Sequence, residues 1–373
     1  MHRLRSLLLA LVAGATMLAL AGPAMAAGGG RGDGDGAVYT LTNSTSGNAV
    51  AVFERDRDGS LTARGTVPTG GNGTGAGLGS QGALVLDGKR LFAVNAGSNS
   101  ISLLHVDRRG KVRLADVDPS GGARPISVTV HGKFVYVLNA GNATTPANIR
   151  GFLALFGKLV PLPGSTRPLS SAAPDPAQVE FSPNGRHLVV TEKATNMIVT
   201  YKVKRGYASG PNAQPSSGMT PFGFAFDRRG LLIVSEAFGG APDASAMSSY
   251  SLSGDGTVTP ISASVKTTET AACWVVVTKN GRYTYTTNTG SNSITGYRVA
   301  GDGSLTLLDA DGKTASTGAT PIDMALTKSS RILYALAGGV PEIDGFVVNG
   351  DGSLDPIGTI GGLPAGTVGL AAS

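Results

Sequence analysis

The sequence predicts an all-β fold, a seven-bladed β-propeller closed by a C-terminal strand that pairs into the first blade. Three repeated features support this. A turn reading Asp-Gly-Ser-Leu stands at residues 58–61, 302–305 and 351–354, with Asp255-Gly256-Thr257-Val258 as a variant. A second tight turn recurs as Asp87-Gly88-Lys89, His131-Gly132-Lys133, Asn184-Gly185-Arg186, Arg228-Arg229-Gly230 and Asn280-Gly281-Arg282. Asn and Gly tolerate the positive φ that a short hairpin needs. After each second turn a strand ends at a marker residue: Asn95, Asn139, Glu192, Glu236 and Asn288, with Asn43 opening the series and Ala337 in the last copy. The intervals between markers are 52, 44, 53, 44, 52 and 49 residues, the period of a four-stranded blade. Seven markers imply seven blades, and a closed ring removes the sticky edges that a linear stack of sheets would leave.

Residues 279–305 show one unit in full. Asn280-Gly281 turns into Tyr-Thr-Tyr-Thr-Thr, a β-branched and aromatic run that suits a strand. Asn288 and a polar loop follow, then an alternating strand from Ile294 to Val299, then the Asp302-Gly303 turn. The first copy enters at Val38-Tyr39-Thr40, which is its second strand, so its inner strand is missing. The chain finishes with Thr367-Val368-Gly369-Leu370-Ala371-Ala372, a strand with no copy after it. This last strand is expected to complete the first blade.

Residues 1–26 read as a secretory signal: Arg3 and Arg5, an apolar run from Leu7 to Leu20, and Ala24-Met25-Ala26 as a small-residue cleavage site. The run is too short and wrongly flanked for a spanning helix, so the protein is expected to be exported, periplasmic or extracellular, with no transmembrane segment. Residues 27–36 form a glycine-rich linker, expected to be disordered, and residues 37–373 the propeller. Cys273 is the only cysteine, so no disulfide forms within the chain, and a propeller of this size has core enough to do without one. The formal charge of +6 is mild, and no basic run interleaved with aromatics argues for nucleic acid. A monomer is expected.

The topology sorts residues by face. Marker loops and the links into each inner strand share one face; the two kinds of glycine turn share the other. Inner strands begin at Pro125, Pro176, Pro221 and Pro321, with Ala272 in the same slot. Positions three and five after this start are apolar, as in Val128 and Val130 or Val179 and Phe181, so period-two alternation makes them the packing face. Position two carries Ser127, Gln178, Gly223, Trp274 and Asp323. These are expected to ring the channel mouth on the marker face, with Glu192, Glu236, Asn95, Asn139 and Asn288 looking into the same space. Two carboxylates can divide acid and base roles, or hold a divalent cation such as Ca²⁺ through oxygen ligands; no other cofactor is expected. Trp274 could stack a sugar ring. Against this, marker Asn residues can simply cap turns, and Cys273 reads as a buried inert thiol. No histidine is expected at the opening, since His131 and His187 lie at the opposite turns. Gly71-Asn72-Gly73-Thr74-Gly75-Ala76 fits a loose dinucleotide pattern but lacks the strand–turn–helix context, and reads as a flexible link between the first two blades.

With the repeats laid out, the chain resembles the lactonase-like seven-bladed propellers, the bacterial 6-phosphogluconolactonase and 3-carboxymuconate-cyclase-like proteins related to the exported Tyr-Val-Thr-Asn repeat proteins. The resemblance rests on Phe181-Ser182-Pro183-Asn184-Gly185-Arg186-His187-Leu188-Val189-Val190-Thr191-Glu192 and on the Gly-Ser-Asn-Ser-Ile segments at residues 97–101 and 290–294. Members with lactonase activity look like Pro-Arg-His on the inner strand and Asn-Glu-Leu after the second. Here Pro176-Ala177-Gln178 and Thr191-Glu192-Lys193 stand in those places, so only Glu192 carries over, with Glu236 a similar case. Lys193 is the one nearby candidate to meet a phosphorylated substrate.

The resemblance implies a hydrolase for an extracytoplasmic lactone or related cyclic ester at the axial pocket. Glu192 or Glu236 would act as base, and Gln178 or Asn288 would hold the oxyanion. The rival from a different class is a non-catalytic propeller that binds a glycan, peptide or envelope partner on the same face. A metal-dependent hydrolase using both glutamates is a third reading.

Overall fold

The computed structural model describes residues 34–107 and 110–373. The expected leader and most of the expected linker lie outside the described residues. The described residues belong to one compact unit.

Seven antiparallel sheets follow one another in chain order. Their inner strands are Val368–Ala372 (blade 1), Leu84–Asp87 (blade 2), Pro125–His131 (blade 3), Pro176–Phe181 (blade 4), Pro221–Phe226 (blade 5), Ala272–Val277 (blade 6) and Pro321–Leu326 (blade 7). The last strand does complete the first blade: Val368–Ala372 pairs antiparallel with Gly36–Leu41, placing Val38 opposite Ala372 and Thr40 opposite Leu370. Arg55, only 2% exposed, fastens this joint. Its guanidinium donates to the Ser373 carbonyl at 3.0 and 3.2 Å and to the Gly34 carbonyl at 2.8 Å.

Second strands such as Tyr283–Asn288 and Ile332–Ala337 are buried along their whole length. Each is covered on both faces by neighbouring blades, which is where β-branched and aromatic side chains pack best. Fourth strands, such as Tyr207–Pro215, are mostly exposed. Of the apolar positions of the inner strands, Val128, Val179 and Phe181 enter the core, at most 5% exposed, while Val130 is only half-buried.

Blades are joined at their rims by a repeated bond. Tyr136, Tyr285 and Tyr334 lie on second strands, and each faces a glycine on the third strand: Gly151, Gly296 and Gly345. A Cβ on Gly151 would come within 2.8 Å of the Tyr136 ring, so the glycine makes room for the ring to lie across the sheet. Each hydroxyl then reaches the next blade and donates to a turn carbonyl: Tyr136 to Gly206 at 2.9 Å, Tyr285 to Gly352 at 2.8 Å and Tyr334 to Gly59 at 2.7 Å. Thr200 and Ser249 do the same for Gly256 and Gly303, at 2.6 and 2.7 Å. Gly59, Gly256, Gly303 and Gly352 are the glycines of the Asp-Gly turns, all at positive φ between 93° and 97°, a conformation that costs glycine nothing.

Two substitutions test this construction. Tyr334→Phe leaves the Gly59 carbonyl without its donor across the closing joint, and should cost about 1–3 kcal/mol of unfolding free energy in a urea titration. Tyr207→Phe, on an exposed strand, should cost much less. Deleting residues 367–373 removes the inner strand of blade 1 and should lower the melting temperature sharply. An unchanged melt would overturn closure by this strand.

Candidate active site

The inner strands surround an axial cavity of about 450 Å³. All of them run from the marker face towards the turn face. Asp87, His131, Pro183, Leu326 and Ala372, at or just beyond their C-terminal ends, line the cavity, and Gln178, Asp323 and Leu370 line its deeper part. The cavity therefore opens on the turn face, whereas the sequence pointed to the marker face. His131 stands at this mouth, so the expectation of an opening without histidine does not hold.

The marker-face end is stopped by the link between blades 1 and 2. Lys193 Nζ donates to the Gly79 carbonyl at 2.7 Å, and Trp274 Nε1 donates to the Ser80 carbonyl at 3.0 Å. Ser80 Oγ donates to the Ile126 carbonyl at 2.8 Å, and the Gln81 amide N–H donates to the Ala177 carbonyl at 3.1 Å. The side chain of Gln81 goes furthest: it donates to the Val275 carbonyl at 2.8 Å and accepts from the Val275 N–H at 2.9 Å. Gly223 is what admits it, since a Cβ there would lie 2.2 Å from Gln81 Oε1. The glycine-rich stretch before the plug is packed as closely. A Cβ on Gly73 would meet the Asn43 backbone at 2.1 Å, so the reading of this stretch as a loose link is corrected: its glycines are there for contact.

The position-two residues clasp neighbouring inner strands. Ser127, fully buried, accepts from the Val179 N–H at 3.2 Å. Gln178 bonds both backbone groups of Phe224, at 2.7 and 2.9 Å. Asp323, 3% exposed, accepts from the backbone amides of Met324 and Leu370. Trp274, 5% exposed, packs against Phe222 under the plug, with ring centroids 5.0 Å apart and planes tilted by 53°. Of the expected ring, only Gln178 and Asp323 line the cavity.

The marker residues occupy a different place. Asn95, Asn139, Glu192, Glu236 and Asn288 are fully buried between blade and link. Glu192 accepts from the Ser170 amide at 2.9 Å, the Thr195 hydroxyl at 2.6 Å and the Ser170 hydroxyl. Glu236 accepts from the Gly218 amide at 2.8 Å and from the hydroxyls of Ser248 at 2.5 Å and Ser264 at 2.6 Å. Asn95 donates to Ser100 and Ser102 and accepts from Asn48 and Thr69. Asn139 donates to the Ser120 carbonyl and to Asn148, and Asn288 donates to Ser293 and Thr295. None of these five lines the axial cavity. Lys193 is engaged by the plug and by Asp175 at 3.4 Å. Among the described residues no group of three or more His, Cys, Asp or Glu side chains is placed to hold a metal ion.

The cavity contains an acid that sequence reasoning missed. Glu180 lines it, two residues beyond Gln178, whose Nε2 donates to its carboxyl at 3.0 Å. Burial pushes the Glu180 carboxyl up to about 8, and burial holds Asp323 well above the usual carboxylate range against the pull of its two backbone amides. The signal was present: the alternation that selects position two also selects position four. Cys273 is buried beside the plug, and burial pushes its thiol up to about 11.

These shifts have a measurable consequence. Glu180 moves from an ordinary value of 4.5 to about 8 on folding, so the fold favours the protonated acid. Its contribution to stability is complete below about pH 4.5 and is lost as pH climbs through about 8; Asp323 acts in the same direction. Unfolding free energy should therefore fall over that window. Glu180→Gln, which stays neutral, should make the fall shallower by roughly 1–3 kcal/mol at high pH. Parallel curves for parent and variant would exclude this shift.

Comparison with known proteins follows the architecture. The family model described as lactonase, 7-bladed beta-propeller, matches residues 37–145 and 244–360. No curated protein matches the sequence. A provisional 6-phosphogluconolactonase of Bacteroides fragilis NCTC 9343 is 20% identical with a TM-score of 0.73, over 91% of this chain and 98% of that one. A second, from Bacteroides uniformis ATCC 8492, is 19% identical with a TM-score of 0.72, over 91% and 100%. The periplasmic gluconolactonase of Pseudomonas aeruginosa is 14% identical with a TM-score of 0.69, over 90% and 98%. At these identities the solved structures share the fold, and the family rests on the sequence match, which spans more than half of the residues: the chain belongs to the lactonase family of seven-bladed β-propellers.

Proposed function

We propose that this propeller hydrolyses a lactone or related cyclic ester bound in the axial cavity, and that it does so outside the cytoplasm. The observation that carries the reading is Glu180: an acid whose pKa is lifted to about 8 at the wall of the cavity, close to the pH at which a general base works best. In its ionised form Glu180 takes a proton from water as the water oxygen bonds to the lactone carbonyl carbon. Asp323, whose neutral form burial favours, donates a hydrogen bond to the oxyanion that forms. The tetrahedral intermediate then collapses, the ring C–O bond breaks, and Glu180 returns its proton to the leaving alkoxide, giving a hydroxy acid. The signal-like residues 1–26 support export, and the neighbouring periplasmic gluconolactonase is a lactone-directed protein of the same fold.

A non-catalytic propeller that binds a glycan, peptide or envelope partner is the second reading. It is favoured by the engagement of Glu192 and Glu236, whose oxygens are taken up by amides and hydroxyls. A divalent cation such as Ca²⁺ held by these two glutamates is a weaker third reading, because each carboxylate lies in its own blade.

The deciding experiment is turnover of a panel of small lactones by the folded protein, with and without added Ca²⁺. Activity should rise with pH through about 8, and Glu180→Gln should lower kcat about 10²–10⁴-fold while melting no lower than the parent. Glu192→Gln and Glu236→Gln should lose stability first. Turnover that survives Glu180→Gln removes this residue from the mechanism, and binding of a lactone without turnover supports the scaffold reading.

A further inference from the structure

A second cavity lies beside the mouth of the first. It holds about 210 Å³ between the turns of blades 4 and 5 and shares Ser182 and Pro183 with the axial cavity. Arg186, His187, Arg228 and Arg229 line it, and no Asp or Glu does.

The charges in this cleft are unevenly used. Arg229 is committed: its Nε donates to Asp227 at 2.5 Å and its Nη1 to the Gly301 carbonyl at 2.9 Å. The guanidinium groups of Arg186 and Arg228 are exposed and have no hydrogen-bond or ion-pair partner among the described residues. Two carboxylates neighbour the cleft, and the charge of Asp255 acts on the His187 ring. Asp227 is held by Arg229, and Asp255 accepts from the Ser253 hydroxyl and from the Thr257 amide at 3.0 Å.

His187 provides an independent observation. It is 4% exposed, and its Nε2 is buried with no partner among the described residues. A buried ring nitrogen without a partner is destabilising. A ligand carrying a hydroxyl or acidic proton would relieve that cost.

We propose that this cleft is an anion site for a tetrahedral oxyanion, phosphate or sulfate, carried either free or as the ester of a larger ligand. Arg186 and Arg228 close on its oxygens from the two turns, as guanidinium groups do with phosphate. His187 Nε2 lies beneath and accepts a proton-bearing oxygen or takes up the proton itself. The site is separate from Glu180 and does not depend on lactone turnover, so it stands or fails independently of the proposed reaction. Because the cleft and the axial cavity share Ser182 and Pro183, an esterified ligand would place its organic part over that shared rim.

The test is a titration of the folded chain with inorganic phosphate at constant ionic strength, followed by the NMR resonances of the His187 ring. A saturable shift is expected, with chloride producing none. Arg186→Ala and Arg228→Ala, both at exposed positions, should each weaken binding about ten-fold, and the double variant should bind no more than chloride does. A non-saturating response, or a double variant that binds like the parent, overturns the site. Phenyl phosphate separates the two sources: equal or tighter binding marks an esterified ligand, and weaker binding marks the free anion.

Discussion

The ring depends on one bond made over and over: a hydroxyl on one blade donating to the carbonyl of a turn glycine on the next. The turn has to be shaped for it. In Asp-Gly-Ser, the Asp carboxylate accepts from the Ser amide and hydroxyl, as at Asp58, Asp302 and Asp351. These bonds hold the three carboxyls below the usual range. With the turn fixed and the glycine at positive φ, the glycine carbonyl faces the preceding blade. Tyr is the side chain that spans the distance from a second strand, and a glycine beside it supplies the width.

A second set of joints works nearer the axis with amides in place of hydroxyls. Gln178 clasps blade 4 to blade 5 through both backbone groups of Phe224, and Gln81 clasps blade 6 in the same manner. Blade 5 has Gly223 where blade 4 has Gln178, and Gln81 enters the space that the glycine leaves. Glu180 on the cavity wall meets these joints only through Gln178, and Arg186 and Arg228 at the rim stand outside them.

The fold was legible because it is written seven times. Turn chemistry, strand composition and the missing inner strand of blade 1 each pointed to the same closed ring, and Val368–Ala372 pairs where that argument placed it. The site was less legible, for physical reasons. Glu192 and Glu236 stood out as departures from an Asn pattern, but in these blades the slot holds a hydrogen-bond hub and accepts either residue, while blade 7 fills it with Ala337. A glycine facing the slot is the local sign: a Cβ at Gly71, Gly122 or Gly218 would collide with Asn95, Asn139 or Glu236. Glu180 was within reach of the alternation rule. The plug was not, because nothing near Ser80 or Gln81 in the chain announces partners on blades 3, 4 and 6.

Gln81 and Val275 are 194 residues apart in sequence, which bears on the order in which the molecule can be assembled. During synthesis the link between blades 1 and 2 emerges early, yet its partners on blade 6 do not exist until more than half of the chain has followed. Bonds of such long range form late, after the loop between them has been closed. The centre of the ring therefore stays unsealed while its sides are already pairing. The bond joining Ser373 to Arg55 spans 318 residues, so a chain that folds as it is made keeps an open edge at blade 1 until its last strand arrives.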